Sequence, residues 1–232
     1  MIMALALAAV APQFDAGQRD AIGQVVREYL LAHPEVIGEA LAAKDARDMA
    51  RAVASHRQQL ETPYGNAWEG AAAPDVIVVQ FFDYACGYCR ASLPDIDRLL
   101  REDPKVRVVY REFPVLSPAS EAAARFALAA AKGSSYAKVH RALYASKQLD
   151  GRALAALGQQ YGVKPATGDA TVEGEIKANR SLARPLQLTG TPSWVIGDQV
   201  LSGAVGYDSL KAAVSAARAR ASASGSGSGL AK

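Results

Sequence analysis

Seven residues, Val76-Ile77-Val78-Val79-Gln80-Phe81-Phe82, form a nearly continuous apolar run just ahead of the chain's two cysteines, Cys86 and Cys89. A run of this length, rich in β-branched and aromatic residues, reads as a strand buried on both faces, hence central in a sheet covered by helices. Val106 to Phe113 carries a second strand pattern around Val108, Val109 and Tyr110. Between them, Ala91 to Glu102 suits a helix that Pro94 should kink or rob of a bond. Strand, helix and parallel strand make a βαβ unit, so the chain is α/β.

The segments around this unit are mostly helical. Ile22, Val25, Val26, Tyr29 and Leu30 mark one face of an amphipathic helix, which His33-Pro34 ends. A second helix is expected from Pro34 to about Leu60, roughly 40 Å long at about 1.5 Å per residue. Its stripe is thin, because Lys44, Asp45, Arg47, Asp48 and Arg51 crowd the middle. A long helix with so little to bury is expected to be an arm packing on another subunit, the alternative being a solvated helix along its own domain. Residues 14–62 are thus assigned to an N-terminal arm, with Glu61 to Pro74 as a connector.

Beyond the second strand, residues 117–190 read as an alanine-rich helical block, with helices around Glu121–Lys132, Tyr136–Ser146, Arg152–Tyr161 and Thr171–Leu188. His140 falls in this block and reads as a packing or surface residue. Strands resume at Ser193–Ile196 and Gln199–Ser202, with Gly197-Asp198 as a tight hairpin turn. A last helix is expected from Tyr207 to about Arg220, followed by a flexible Ser/Gly tail over 221–232.

With 26 basic and 23 acidic residues and no basic run interleaved with aromatics, a nucleic-acid surface is not indicated. The apolar start, Met1 to Ala11, resembles the core of an export signal without its basic region, so residues 1–13 are assigned to a signal remnant and the chain to an extracytoplasmic, periplasmic location; a docked or disordered N-terminus is the alternative. No stretch approaches the ~20 apolar residues of a membrane-spanning helix.

Two thiols two residues apart admit several chemistries. Half a zinc site lacks its second half, since there is no other cysteine and His33, His56 and His140 have no ligand spacing. An inert disulfide closing so short a loop gains little chain entropy. A redox pair fits best: Cys86 would stand at the N-terminus of the helix after the first strand, where unpaired amides favour a thiolate, and Cys89 would be more buried, one turn inside. A pair of soft ligands for Cu(I) is the alternative outside thiol exchange.

The strand with Phe81-Phe82-Asp83-Tyr84-Ala85-Cys86-Gly87-Tyr88-Cys89, the second strand running into Arg111-Glu112-Phe113-Pro114, the helical block, and Gly190-Thr191-Pro192-Ser193 before a strand together resemble the DsbA-like branch of the thioredoxin superfamily, over about residues 75–220. The stretch Tyr29 to Ile37 further resembles the ScsC-type subgroup, some of whose members oligomerise through an N-terminal helical region and some of which are linked to copper tolerance. The resemblance implies a thioredoxin-like fold with a helical insertion, and protein thiol-disulfide oxidase or isomerase activity. It makes Cys86 the nucleophile, Cys89 the resolving thiol, Pro192 a cis-proline facing them, and Thr191 a backbone contact for substrate. It implies no cofactor beyond a redox-active Cys86–Cys89 disulfide. Its partners would be cysteine-containing clients, a membrane redox partner, and further copies of the chain through residues 14–60, as a dimer or trimer.

Two departures from the family pattern are expected to tune the chemistry. Gly87-Tyr88 replaces the Pro-His of strongly oxidising members, leaving no imidazolium beside the thiolate. A helix terminus contributes at most ~2 kcal/mol, about 1.5 pKa units, so a milder oxidant is expected. Gln80 stands where a buried acid usually relays a proton, and glutamine cannot exchange one. Asp83, nearer the motif, is the candidate to compensate, with a surface or helix-capping role as its alternative.

Overall fold

The computed structural model describes residues 14–164, 166 and 168–226. The export segment expected over 1–13 and the end of the tail, 227–232, lie outside them. The chain divides into two compact units, Met1–Arg47 and Asp48–Lys232.

In the first unit, α1 spans Ala16–Ala32. It opens on a capping box: Asp15 accepts from the Gln18 amide at 2.8 Å and Gln18 accepts back from the Asp15 amide at 3.0 Å. No residue of α1 is buried, and Val25 and Leu31 are 65% and 69% exposed. Pro34 separates it from α2, Glu35–Glu61, whose early residues Ile37 and Leu41 are also exposed.

The second unit takes in α2 from Asp48 onward. Here the expected arm differs from what is found. Val53 and Leu60 are buried at 1% exposure in the core of the second unit, with Met49 and Ala52 packed beside them. The guanidinium of Arg111 receives the carbonyls that end the helix, donating to Leu60 O at 3.0 Å and Thr62 O at 2.6 Å, and also to Gln59 O. Four apolar residues are too few to show as a full stripe, yet they suffice because a buried cation fixes the helix end.

Five strands form the sheet, ordered β1-β3-β2-β4-β5, among the described residues. The strands are β1 Trp68–Gly70, β2 Val76–Phe82, β3 Val106–Glu112, β4 Ser193–Ile196 and β5 Gln199–Ser202. β2 and β3 are parallel in the register Val78↔Val108 and Gln80↔Tyr110, whereas β4 runs antiparallel to β2, with Gln80↔Trp194. β1 lies inside the expected connector and pairs antiparallel with β3. Three residues ending on Gly70 give no strand pattern. Gly70 itself has φ 102°, and a Cβ there would come within 2.4 Å of Val106 O.

The expected kinked helix is in fact two helices. α3, Gly87–Ala91, ends at Ser92, and α4, Leu93–Glu102, begins with Pro94 in its first turn, where no amide hydrogen is required. α5 Pro118–Ala131, α6 Tyr136–Ala145, α7 Gly151–Tyr161 and α8 Ala170–Ala183 make up the insertion. α9 runs from Gly206 to Ser226, so the tail expected to be flexible from Ala221 starts as helix; alanine and serine tolerate the conformation, and the Ser222 hydroxyl donates to Arg218 O at 3.0 Å.

Alternation along β2 and β3 splits the core. Val78, Phe82, Val108 and Tyr110 face α4, α5, α6 and α9, while Val79, Phe81 and Val109 face α2 and α8. A large aromatic cluster, Phe82, Tyr84, Tyr110, Tyr136, His140 and Tyr144, fills the first side next to the C-terminal ends of β2 and β3.

Candidate active site

The site forms where β2 runs out. Phe82 closes the strand, and the Asp83 to Ala85 loop turns into α3 with Cys86 as its N-cap. Asp83 holds that turn: its carboxylate accepts from Ala85 N at 2.8 Å, Val115 N at 2.9 Å and Leu116 N at 3.0 Å. It is therefore neither a surface carboxylate nor a helix cap. At 1% exposure it ties the loop after β2 to the loop after β3, and three amides occupy its oxygens.

Cys86 and Cys89 are both free thiols. The Cys89 amide donates to Cys86 Sγ at 3.3 Å, and the Cys86 thiol donates to Thr191 O, also at 3.3 Å. α3 is only five residues long, so the helix contribution expected at Cys86 comes mainly through this single amide. Cys89 is fully buried. Desolvation pushes its thiol well above the ordinary range, the Cys86 thiol adds to this, and the Asp83 backbone and the Thr191 hydroxyl oppose it.

Across from the cysteines the Thr191–Pro192 peptide is cis. Its loop is tied on both sides, since Ser193 Oγ donates to Gly190 O at 2.7 Å and the Gly203 amide donates to Pro192 O at 2.8 Å. Ser193 then opens β4 beside Phe81. The topology thus brings Cys86 and Thr191, 105 residues apart in sequence, into contact.

The tuning positions behave differently from one another. Gly87 faces open space, so a side chain there would meet nothing. Tyr88 is 71% exposed beside the thiols, and with Val115 and Leu116, both exposed, it gives this end of the sheet an apolar surface. Gln80 is 1% exposed, and neither its amide nitrogen nor its oxygen finds a partner among the described residues.

A buried polar cluster beside the site was not visible in the sequence. Glu112, at 1% exposure, accepts from the Tyr84 hydroxyl at 3.1 Å and the Tyr136 hydroxyl at 3.3 Å, and Tyr84 also lies 2.9 Å from His140 Nδ1. Burial raises the Glu112 carboxyl well above its usual range and lowers His140 to about 3. The sequence reading of His140 as a packing residue is half the account, because its ring is stacked and its Nδ1 is engaged. The missed signal was the charged pair Arg111-Glu112 at the end of a strand in which every residue but Arg107 is buried.

A sheet of this order, with a helical insertion and a thiol pair at the end of its central strand facing a cis-proline loop, defines a thioredoxin-fold thiol-disulfide oxidoreductase. The family described as DSBA-like thioredoxin domain matches residues 77–215, more than half of the chain, and the chain belongs to that family. Residues 18–51 match the family described as copper resistance protein ScsC N-terminal domain.

Solved structures agree. A linker-deletion mutant of ScsC from Proteus mirabilis is 27% identical with a TM-score of 0.71, covering 93% of this chain and 100% of that one. A thioredoxin-like oxidoreductase from Silicibacter pomeroyi is 34% identical (TM-score 0.66, 70% and 97% coverage). The thiol-disulfide exchange protein alpha-DsbA2 from Wolbachia pipientis is 28% identical (TM-score 0.65, 73% and 97%). Among curated proteins, Na(+)/H(+) antiporter NhaA 3 of Salinispora tropica is 26% identical over 156 residues, which are 64% of this chain but 24% of that protein; the chain thus spans about a quarter of it. Among the described residues no helix is long and apolar enough to cross a membrane.

Proposed function

We propose that the chain exchanges disulfides with cysteine-containing client proteins outside the cytoplasm, with Cys86 as attacking thiol, Cys89 as resolving thiol, and a Cys86–Cys89 disulfide as its oxidised form. The observation that carries this reading is the contact of Cys86 Sγ with both the Cys89 amide and Thr191 O, 3.3 Å each. A thiolate on Cys86 keeps a donor from the Cys89 amide, while the raised Cys89 thiol stays protonated until a mixed disulfide forms and must be resolved. Beside cis-Pro192, Thr191 offers its backbone to an extended client segment by strand addition. Pro192 shapes that edge, and Gly87-Tyr88 supplies no imidazolium, so the protein is a milder oxidant than Pro-His enzymes.

Direction depends on assembly and on the redox partner, which we place in the membrane. The N-terminal match and the exposed apolar residues Val25, Val26, Tyr29, Leu31, Ile37 and Leu41 support a homo-oligomer built through residues 14–60, which favours isomerisation by grouping active sites. The export-like start and the similarity to a periplasmic thioredoxin-like protein of Salmonella enterica support a periplasmic location. Because the name of the N-terminal match mentions copper resistance, Cu(I) held by Cys86 and Cys89 is the second reading.

Recovery of ribonuclease activity from its scrambled form tests the main reading. The wild type should restore activity and Cys86→Ala should not; equal recovery by both would overturn it. Tight one-to-one Cu(I) binding without any turnover would favour the second reading.

A further inference from the structure

We propose that the helical insertion carries a binding site for a free long-chain carboxylate, in the cavity between α5, α7 and the segment joining α7 to α8, with Lys164 at its mouth. No step of thiol exchange passes through this cavity, so the site stands apart from the roles of Cys86 and Cys89.

The cavity has a volume of about 800 Å³, within the roughly 300–1,000 Å³ typical of small-molecule sites. Two helix faces form its walls. α5 supplies Ala122 and Phe126, and α7 supplies Gly151, Leu154, Ala155, Gly158 and Gln159. The positions on α7 follow the spacing i, i+3, i+4, i+7 and i+8, which is one face of the helix. Eight residues at about 1.5 Å each make that wall about 12 Å long. Val163 and Ala166, both buried, complete the apolar lining.

The space is built into the fold. Alanines and leucines make up the middle of α7, yet none of its residues is buried. Its ends are fixed, since Asp150 accepts from Ala153 N at 2.8 Å and Gly162, with φ 69°, stops the helix. At Gly158 the helix already touches its neighbours: a Cβ there would lie 2.9 Å from Val163 O and 3.6 Å from Phe126 Cε2. At Gly151 a Cβ would meet nothing. Contact at Gly158 thus keeps α7 from settling onto α5, and the wall between Gly151 and Gly158 stays open. Arg125 braces the other side by donating to Glu173 of α8 at 2.5 Å.

The walls set the chemistry of the occupant. Ala122, Phe126, Leu154 and Val163 offer water no side-chain hydrogen bond, so a hydrocarbon chain that displaces it gains about fourfold in affinity per methylene buried. Charge fixes the head. The polar side chains bordering the space are Arg125, Gln159, Lys164 and Glu173. Arg125 is engaged by both Glu173 and Glu121. Lys164, exposed, has no ion-pair partner among the described residues, which leaves one positive charge for an incoming anion. Gln159 and Lys164 flank Gly162 at one end of α7, with Gly151 at the other. One cation and one amide donor match the two oxygens of a carboxylate, and its tail would run along α7 toward Gly151.

The full-length protein, titrated with cis-parinaric acid, a fluorescent long-chain carboxylate, below its micelle concentration, should saturate at one probe per chain. Myristate should displace the probe, and tetradecyltrimethylammonium should not. Each methylene removed from the competing carboxylate should weaken it about fourfold. Lys164→Ala should weaken myristate about fivefold, the upper end for an exposed ion pair, and leave displacement by tetradecanol unchanged. Ala122→Phe and Ala155→Trp each place a large side chain in the cavity and should abolish saturable binding while circular dichroism shows them folded. Should Ala122→Phe fail to fold, Ala155→Trp, at an exposed position, is read alone. Wild type without saturable binding, or filled variants that bind as wild type does, would overturn the proposal. So would myristate and tetradecyltrimethylammonium displacing the probe equally, or Lys164→Ala binding myristate as tightly as wild type.

Discussion

Cys86 and Cys89 differ by three positions and very little in exposure, 6% against 0%, yet their surroundings differ. Cys86 receives the Cys89 amide and sits at the surface end of the turn, whereas desolvation holds Cys89 as a thiol. Iodoacetamide should therefore label Cys86 of the reduced protein at neutral pH and leave Cys89 untouched until the chain unfolds, as read by mass spectrometry of Cys86→Ser and Cys89→Ser; equal labelling would contradict the asymmetry. This much was legible in the sequence, because a helix turn is local and fixes which thiol lies inside. The role of Asp83 was not. Its amide partners at Val115 and Leu116 lie 32 and 33 residues away, so only the fold shows that the carboxylate is already engaged. Glu112, Tyr84 and His140 are equally scattered, with separations of 28 and 56 residues. Gly87, which reads as a tuning residue of the motif, faces open space.

At the scale of elements, the long β2 and β3, the insertion helices and the β4–β5 hairpin follow directly from pattern, and the errors fall where pattern is shortest. β1 has three residues, and α3 has five. The division of α2 is the more instructive case, because its docking depends on an ion rather than a stripe. Arg111, 3% exposed, donates to the Leu60 and Thr62 carbonyls and pairs with Glu175 at 2.6 Å. Arg111→Met would strip these carbonyls of their donor and leave Glu175 without its cation. A loss of about 3–5 kcal/mol is expected, as for breaking a buried pair from one side, measured by urea unfolding. The double variant Arg111→Met with Glu175→Leu should recover part of it, since removing both charges leaves no uncompensated ion. A single substitution costing under about 0.5 kcal/mol, the ordinary surface value, would mean that α2 is held by Val53 and Leu60 alone.

For the whole molecule, the buried acid and imidazole act on stability with opposite signs. Burial depresses His140 to about 3, below the ordinary ~6.5, so the unfolded chain binds a proton that the folded one refuses. Its stabilising share is full above about pH 6.5 and is lost as pH falls toward 3. Glu112 is raised, so the folded chain keeps a proton that the unfolded chain releases above about pH 4.3; its share is full below that value and is lost as pH rises. Each slope is about 1.4 kcal/mol per pH unit. From about pH 4.3 upward the two slopes have opposite signs until one of the two groups has finished titrating. Subtracting variant from wild-type unfolding free energies separates them. The difference from His140→Leu should grow as pH rises from about 4 to 6.5 and then level off, whereas the difference from Glu112→Gln should shrink as pH rises beyond about 4.3. Parallel curves for both variants would show that neither group changes protonation on unfolding. The same measurement on reduced and oxidised protein bears on function, because a Glu112 difference that changes when the cysteines close would tie the acid to their redox state.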